Sequence, residues 1–327
     1  MEGWPGSLRG IGADGMSQSK IVEVSAAVLQ RPDGTFLLAQ RPAGKIWAGY
    51  WEFPGGKIES GETPYHALVR ELSEELGITV QTAYPWITRV FTYPHATVRL
   101  NFFRVTEWSG EPHPHEGQQF SWQQPARVLV DPVLPANAPI LRALELPPLY
   151  AISNAGELGI EGFLASCKTA LDNGLRLVQL REKDLPRSEL RGLAARVVAL
   201  AHACGARVLL NGDAVLAQEV GADGVQLTSA QLAALKIRPA LDWCAASCHS
   251  AEELRRAEAL GCDFALLSPV LPTQSHPGAP HLGWEKFGEM AAGSTIPVYA
   301  LGGLMPEHMQ TAWQHGAHGI ALLRQAW

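Results

Sequence analysis

Three glutamates lie close together in RELSEELGI, residues 70–78. If this stretch is a helix, Glu71, Glu74 and Glu75 share one face, because residues three and four apart are neighbours on a helix. Like charges at that spacing destabilise a helix by ~0.2–0.5 kcal/mol per pair. The acids therefore either lie on a solvated face or supply oxygen ligands to a hard cation such as Mg²⁺ or Mn²⁺.

The flanking residues predict the helix that carries these acids. In TPYHALVRELSEELG, Thr63 can cap the amino terminus, Pro64 suits the first turn, and Gly77 suits the position after the last turn. Upstream, the apolar runs IVEVSAAVLQ and TFLLAQR flank RPDG, which is typical of a β-hairpin. Downstream, WITRVFTYPHATVRLNFFRVTEW predicts two more strands, and APILRALEL predicts a short helix.

Composition limits the class of protein. The chain has 327 residues, of which 46% are hydrophobic and 18% charged, and this favours two globular domains over a disordered chain. A net charge of -6 argues against a nucleic-acid backbone as partner. The five cysteines include no CxxC pair, which fits a reducing cytoplasm. No apolar run is long enough to span a membrane, so we expect no membrane partner.

The pattern of elements changes along the chain. Residues 1–19 indicate a disordered lead, with Met16 as an alternative start, and residues 20–146 form a first mixed domain. In residues 147–327, eight apolar runs alternate with helical patterns. Continuous apolar runs are typical of buried parallel strands, so this half predicts a compact (βα)₈ barrel, with a doubly wound sheet as the competing fold.

The acidic helix and its preceding loop resemble the Nudix box. The spacing runs from Gly56 through five residues to Glu62, then through seven residues to RELSEELGI. The resemblance implies an α/β/α sandwich that hydrolyses a diphosphate linkage with Mg²⁺, Mn²⁺ being possible. It also implies metal ligands or holders of the catalytic water among the following residues: Glu71, Glu74, Glu75 and a backbone carbonyl near Gly55 or Gly56. Arg70 would orient the acids, Glu62 would support the loop, and Lys57 would meet substrate phosphate.

Three further segments resemble the MutT-type Nudix enzymes, which hydrolyse oxidised dGTP: EFPGGKIESGETP, WSGEPHPHEGQ and PANAPIL. The resemblance implies that Glu116 is another metal ligand or a base, the alternative being an ordinary surface glutamate. It implies that Asn137 reads the purine, since an amide both donates and accepts. The alternative for Asn137 is a helix N-cap.

The same resemblance places Arg41 and the TYPH turn, with Tyr93 and Pro94, near the base. His95 stands where an acidic residue is expected. The predicted activity of the first domain is hydrolysis of 8-oxo-dGTP to 8-oxo-dGMP and pyrophosphate, which would clean the nucleotide pool and prevent replication errors.

The second half resembles thiamine phosphate synthase and its sister, the TenI-type thiazole tautomerase. The matching motifs, in order, are LVQLREKD, LLNGD, GADGVQL, SCHS, SPVLPTQS and ALGGLMP. The resemblance implies substrate or phosphate contacts from residues at carboxyl ends of strands: Gln179, Arg181, Lys183, Asn211, Thr273, Gly302 and Gly303. The expected ligand is a thiazole or thiamine phosphate.

Departures from the synthase indicate a different chemistry. Gly212 and Gln231 occupy positions of its two Mg²⁺-binding aspartates, Asp213 is one residue away, and His276 replaces a lysine. We therefore expect no synthase activity. His249 matches a TenI-type histidine that could move a proton in a metal-free tautomerisation, or it could simply precede a capped helix.

Two rival functions stay open on the sequence alone. The first domain could cleave a thiamine-related diphosphate while the barrel handles the thiazole half. The barrel could also be a binding module without chemistry. The oligomeric state is not predicted.

Overall fold

The computed structural model describes residues 21–115, 117–274, 278 and 280–327. The predicted lead, including Met16, lies outside the described residues, and so do Glu116 and His276. No helix in the described part of the chain is long and apolar enough to cross a lipid bilayer.

The described residues of the first part of the chain form seven strands and two α-helices. In chain order they are β1 (Val22–Leu29), β2 (Phe36–Gln40), β3 (Trp51–Glu52), β4 (Gly55–Lys57), α1 (Pro64–Leu76), β5 (Thr79–Thr92), β6 (Thr97–Ser109), β7 (Phe120–Gln123) and α2 (Ala138–Leu144). A four-stranded sheet has the order β4-β1-β6-β5, and a smaller sheet has the order β3-β2-β7. β1 and β6 run parallel, while their outer neighbours are antiparallel.

The helices cover opposite faces of the larger sheet. On one side, Leu72 of α1 packs with Ala27 and Leu29 of β1. On the other, Ile140 of α2 packs with Val28. Because alternate side chains of β1 enter two separate apolar clusters, this strand must lie between two layers. The expected α/β/α sandwich is confirmed.

The predicted hairpin between β1 and β2 is wrong. RPDG does form a turn, in which Gly34 N donates to Arg31 O at 2.9 Å. The two strands then share a single bridge, Gln30 to Phe36, and enter different sheets. The reason is burial: five consecutive residues of β1 are buried, so β1 takes the centre of its sheet between β4 and β6.

The second part of the chain contains eight strands. They are β8 (Leu149–Ile152), β9 (Leu177–Leu180), β10 (Arg207–Asn211), β11 (Gly224–Leu227), β12 (Trp243–Cys248), β13 (Phe264–Leu267), β14 (Val298–Leu301) and β15 (Gly319–Leu322). All neighbours pair in parallel, and β15 pairs with β8 through Ile320 and Leu149. This pairing closes the barrel, so the predicted (βα)₈ fold is confirmed and the doubly wound sheet is excluded.

Helices connect the barrel strands. They are α3 (Ala155–Leu158), α4 (Ile160–Asp172), α5 (Arg187–Ala203), α6 (Ala214–Glu219), α7 (Ser229–Ala234), α8 (Ala251–Leu260), α9 (Gly283–Ala291) and α10 (Met309–Gln314). The barrel interior is a packed core rather than a pore, as expected for eight strands. Its aromatic members include Tyr150, Trp243, Phe264 and Tyr299, all at most 1% exposed.

The sandwich packs against the amino-terminal end of the barrel. Arg142 of α2 lies 3.4 Å from the ring centroid of Trp243, the first residue of β12. Arg207, the first residue of β10, donates to Glu145 Oε2 at 2.7 Å. The Tyr299 hydroxyl donates to the carbonyl of Pro147, which precedes β8. The carboxyl ends of the barrel strands therefore lie at the end away from the sandwich.

A buried Arg104–His318 contact joins the two parts. Arg104 of β6 donates through Nη1 to His318 O at 2.7 Å, and its Nη2 lies 2.8 Å from His318 Nδ1. His318 Nε2 lies 2.9 Å from the carbonyl of Leu146, which can only accept. Nε2 therefore carries the proton and Nδ1 accepts from Arg104. Burial, together with Arg104, holds the pKa of His318 well below its usual value, so the ring is neutral.

Removing the buried guanidinium should destabilise the whole chain. Arg104→Ala leaves buried His318 Nδ1 without its donor and removes one of the two donors to His318 O, the other being Trp313 Nε1 at 3.2 Å. It also empties space beside Trp86, whose ring lies 4.4 Å from the guanidinium. We expect a loss of about 3 kcal/mol and a melting temperature lower by roughly 6 °C in calorimetry.

The control is Arg99→Ala, which breaks an exposed pair with Glu23. Such a pair contributes below about 1 kcal/mol. Equal shifts for the two variants would contradict the assigned role of Arg104.

Candidate active sites

The acidic helix α1 begins and ends where the sequence predicts. The Thr63 hydroxyl accepts from His66 N at 3.2 Å, Pro64 opens the helix, and Gly77 closes it with φ 65°. Leu68, Leu72 and Leu76 form a leucine row on α1 that is fully buried, which fixes the rotation of the helix about its axis. The acids beside that row are consequently turned toward β4.

Two glycines of β4 let the acids approach the backbone. A Cβ on Gly56 would lie 2.1 Å from the carboxyl carbon of Glu71, so that carboxylate occupies the space a side chain would need. Gly55 has φ 143°, and a Cβ there would lie 2.1 Å from Ser25 O. The Gly55 amide donates to Glu75 Oε2 at 3.2 Å. Glu71 and Glu75 therefore both lie against the Gly55–Gly56 backbone.

Arg70 organises the acids and the preceding loop. Its Nε donates to Glu62 Oε1 at 2.8 Å and its Nη1 to Glu71 Oε1 at 2.8 Å. Its Nη2 also reaches the backbone carbonyl of Lys57 at 3.0 Å. The hydrogen bonds from Arg70 lower the pKa of Glu62 to about 2. Glu74 is more exposed: its side chain is 61% exposed, and it contacts Arg70 Nη1 at 3.2 Å.

The electrostatics of the acids suit a cation. Burial, opposed by the Gly55 amide and reinforced by the charges of Glu71 and Glu52, raises the pKa of Glu75 to about 7. A divalent ion beside Glu71 and Glu75 would relieve this repulsion, and carboxylates are the ligands that Mg²⁺ prefers. Within the described ranges, no three His, Cys, Asp or Glu side chains already form a metal cage. The expected fourth acid, Glu116, lies outside those ranges.

A second cluster surrounds Arg41 and Tyr93. The Arg41 guanidinium contacts Glu52 Oε1 at 2.5 Å. The pKa of Tyr93 is raised, first by burial and then by Glu52, while a hydrogen bond with the backbone of Ala136 acts in the opposite direction. The adjoining His95 ring stacks on Tyr93 with centroids 5.6 Å apart. Arg41 and Tyr93, which the sequence assigned to the base, are thus near neighbours.

Asn137 lies beside this cluster, next to Ala136. It precedes α2, yet its side chain makes no capping hydrogen bond. It is only 4% exposed, and its Nδ2 has no hydrogen-bond partner among the described residues. The N-cap alternative is therefore excluded. A buried amide donor without an acceptor costs about 1–3 kcal/mol, so its retention needs another explanation.

Sequence reasoning did not single out Glu52 or Trp47, which belong to the same cluster. Glu52 follows the buried Trp51 in β3, and this alternation could have shown that it faces the other side of the sheet. Burial raises the pKa of Glu52 despite the nearby Arg41. The Trp47 ring lies 6.0 Å from that of Tyr93.

The LVQLREKD motif covers β9 and the start of the loop that follows it. Gln179 is 1% exposed inside the barrel, while Arg181 is half-buried and Lys183 is exposed. The Arg181 amide donates to Ser153 Oγ at 2.8 Å, which joins the ends of β8 and β9. Asn211 is the last residue of β10. These residues share the carboxyl end of the barrel.

The glycine pair after β14 packs closely against the loop that follows β13. Gly302 has φ 106° and a Cβ there would lie 2.8 Å from Pro269 Cα. A Cβ on Gly303 would lie 2.3 Å from Pro272 O, in the loop that continues into the half-buried Thr273. The close packing of these two loops therefore requires glycine, and it brings Thr273 to the same end of the barrel.

The positions of the synthase aspartates are occupied by neutral groups bonded to each other. Gln231 Nε2 donates to Gly212 O at 2.7 Å, and Gln231 Oε1 accepts from Thr228 N at 3.1 Å in a helix cap. Asp213 caps α6 through Leu216 N and accepts from Arg187 at 2.8 Å. This donor set does not fit a Mg²⁺ ion.

His249 follows β12 at the same end. Its Nδ1 lies 2.8 Å from Ser268 O, a carbonyl that can only accept, so Nδ1 carries the proton. Nε2 is then the ring nitrogen left to act as a base. The capping contacts of α8 use Ser250 Oγ and the His249 backbone amide. They do not involve His249 Nε2.

Comparisons with known proteins agree with this division of the chain. A family model described as thiamine monophosphate synthase matches residues 149–326, and one described as NUDIX domain matches residues 25–143. A putative thiamine-phosphate synthase 2 of Aquifex aeolicus is 40% identical over 54% of this chain and 96% of its own length. An 8-oxo-dGTP diphosphatase of Haemophilus influenzae is 39% identical over 38% of this chain and 92% of its own length.

The chain belongs to both families. It joins a Nudix pyrophosphohydrolase domain of the 8-oxo-dGTP diphosphatase type to a barrel like that of thiamine phosphate synthase. A CTP pyrophosphohydrolase of Escherichia coli is 41% identical to the Nudix domain, over 38% of this chain and 91% of the relative.

The raised pKa of Glu75 predicts a pH-dependent cost in metal-free protein. The folded-state pKa, about 7, exceeds the ordinary value of 4.5, so the folded state favours protonated Glu75. This stabilisation is complete below pH ~4.5 and is lost as the pH rises through 7. With EDTA at pH 8, Glu75→Gln should melt about 2–4 °C above the parent chain, on the order of 1 kcal/mol, and the gap should close at pH 4.5.

The matched control is Glu74→Gln, which changes an exposed acid of the same helix and should show no such trend. A melting difference for Glu75→Gln that is constant from pH 4.5 to pH 8 would contradict the assignment.

Proposed function

We propose that the Nudix domain hydrolyses oxidised purine nucleoside triphosphates, chiefly 8-oxo-dGTP, to the monophosphate and pyrophosphate with Mg²⁺. Asn137 is the observation that carries this proposal. Its amide is buried, caps no helix, and has no protein acceptor among the described residues. A donor held in this way suits a base edge that presents an oxygen, and the adjacent Tyr93 and Arg41 can enclose the ring.

The acids of α1 supply the reaction centre. Glu71 and Glu75, lying against Gly55 and Gly56, would hold the Mg²⁺ ion, and Mn²⁺ suits the same oxygen ligands. When bound, the ion neutralises phosphate charge and activates the attacking water. Arg70 keeps Glu71 in place through its 2.8 Å contact. The exposed Lys57 lies on the same edge and would meet the phosphates.

A second candidate substrate for the Nudix domain is a thiamine-related diphosphate, which the fusion to the barrel favours. The similarity to a CTP pyrophosphohydrolase adds a pyrimidine nucleotide as a third. These substrates share the diphosphate that the acids would act on and differ at the group facing Asn137. The relative kcat/KM values for these three substrates therefore decide between the candidate functions.

For the barrel, we propose metal-free proton transfer on a thiazole phosphate. Gly302 and Gly303 would receive the phosphate on bare backbone amides. His249 Nε2 would take a proton from the ring, since its Nδ1 is already committed to Ser268 O. Gln231 and Gly212, which are hydrogen-bonded to each other, stand where acidic residues would be needed to hold the metal ion of a bound pyrophosphate.

Changing Asn137 should lower activity selectively. Asn137→Asp keeps the shape and replaces the amide donor by an acceptor. We expect kcat/KM for 8-oxo-dGTP to fall about 10- to 100-fold, the loss of one buried hydrogen bond. Thiamine diphosphate turnover, followed by phosphate release on the full chain, should not change. A parallel fall on both substrates would contradict base recognition by Asn137.

Changing His249 should separate chemistry from binding in the barrel. On the full chain with EDTA, a thiazole phosphate carboxylate should exchange ring protons with D₂O, observed by NMR. His249→Ala should slow that exchange about 100-fold or more, while Ser250→Ala, which changes only the helix cap, should leave the rate nearly unaltered. No exchange in the parent chain would reduce the barrel to a binding module.

A further inference from the structure

Trp47 combines three unusual features in one residue of the turn that joins β2 to β3. Among the described residues other than glycine, only Trp47 has a positive φ, 64°. Its indole Nε1 is shielded from solvent and has no hydrogen-bond partner in the described part of the chain. Its ring packs edge-on to Tyr50, with centroids 4.9 Å apart, and lies 6.0 Å from the tilted ring of Tyr93.

The turn is tied to the residues of the second cluster. Arg41 Nε donates to Ile46 O at 2.8 Å, and Gly49 N donates to Arg41 O at 3.0 Å. Arg41 also holds Glu52. Left-handed backbone costs a tryptophan about 1–3 kcal/mol, and such strain persists where surrounding contacts enforce it. These contacts fix the position of the Trp47 ring relative to Arg41 and Tyr93.

Tyr93 connects Trp47 to Asn137. The Tyr93 ring lies 6.0 Å from that of Trp47 in a tilted arrangement, and its hydroxyl meets the backbone of Ala136, the neighbour of Asn137. Trp47 Nε1 and Asn137 Nδ2 are thus two shielded N–H donors without acceptors among the described residues, and their residues are linked through Tyr93 and the backbone of Ala136. Each costs stability unless a ligand supplies an acceptor.

We propose that Trp47 determines nucleobase specificity: its ring packs against the base, and its indole N–H donates to a base oxygen. This rests on the proposed nucleotide hydrolysis and names a residue that sets its selectivity. The pocket would present two donors, one from Trp47 and one from Asn137. It would therefore select bases that carry two acceptors on one exposed edge, as an oxidised purine does with its ring carbonyls.

The test uses the full chain with Mg²⁺ and two substrates, 8-oxo-dGTP and deoxyribose 5′-triphosphate without a base. Trp47→Phe keeps an aromatic ring and removes the N–H donor. We expect kcat/KM for 8-oxo-dGTP to fall about tenfold, mainly through KM, and turnover of the base-free triphosphate to stay unchanged. Trp47→Ala should lower the first value further. Trp122→Phe, at an indole that stacks on Trp108 elsewhere in the domain, is the matched control.

Unchanged 8-oxo-dGTP kinetics in Trp47→Phe would overturn the proposal, and so would an equal loss on both substrates, which would show a purely structural role. Repeating the comparison with CTP in place of 8-oxo-dGTP, again against the base-free triphosphate, separates this inference from the proposed function. If CTP is the better substrate of the parent chain and Trp47→Phe lowers its kcat/KM selectively, the purine assignment fails and the role of Trp47 stands.

Discussion

The close approach of two carboxylates to a glycine backbone is the constraint on which the Nudix site depends. Glu71 fills the space that a side chain on residue 56 would need, and Glu75 receives the amide of Gly55. This approach requires the leucine row of α1 to be buried, so that the helix cannot rotate. It brings two carboxylates together, and burial, reinforced by the charge of Glu71, raises the pKa of Glu75.

Local signals predicted the local structure well. The caps of α1 and the eight apolar runs of the barrel depend on neighbouring residues, and each formed where expected. The separation of β1 from β2 into different sheets was not predicted. Their turn specifies only that the chain reverses direction, whereas the strands that pair with β1 lie far along the chain. Trp47 also escaped prediction, since its positive φ and shielded N–H arise from contacts with Arg41 and Tyr93 that no short pattern encodes.

The Arg104–His318 contact was equally hidden, because a lone arginine in a strand reads as an exposed residue. It also fixes where the two candidate sites lie relative to each other. The sandwich closes the amino-terminal end of the barrel, while Asn211, His249 and Gly302 lie beyond the carboxyl ends of the strands. The aromatic core between these ends is packed. This arrangement provides no direct path between the two candidate sites, so a product of one would have to reach the other through solvent.

The central claim is that this Nudix site acts on an oxidised purine nucleotide through the acids of α1. Initial rates of the full chain with Mg²⁺ test it most directly, using 8-oxo-dGTP, dGTP, CTP, ADP-ribose and thiamine diphosphate at equal concentrations, with Glu75→Gln in parallel. The account predicts the highest kcat/KM for 8-oxo-dGTP, release of pyrophosphate, and loss of that turnover in Glu75→Gln. A preference for thiamine diphosphate, or full turnover by Glu75→Gln, would contradict it.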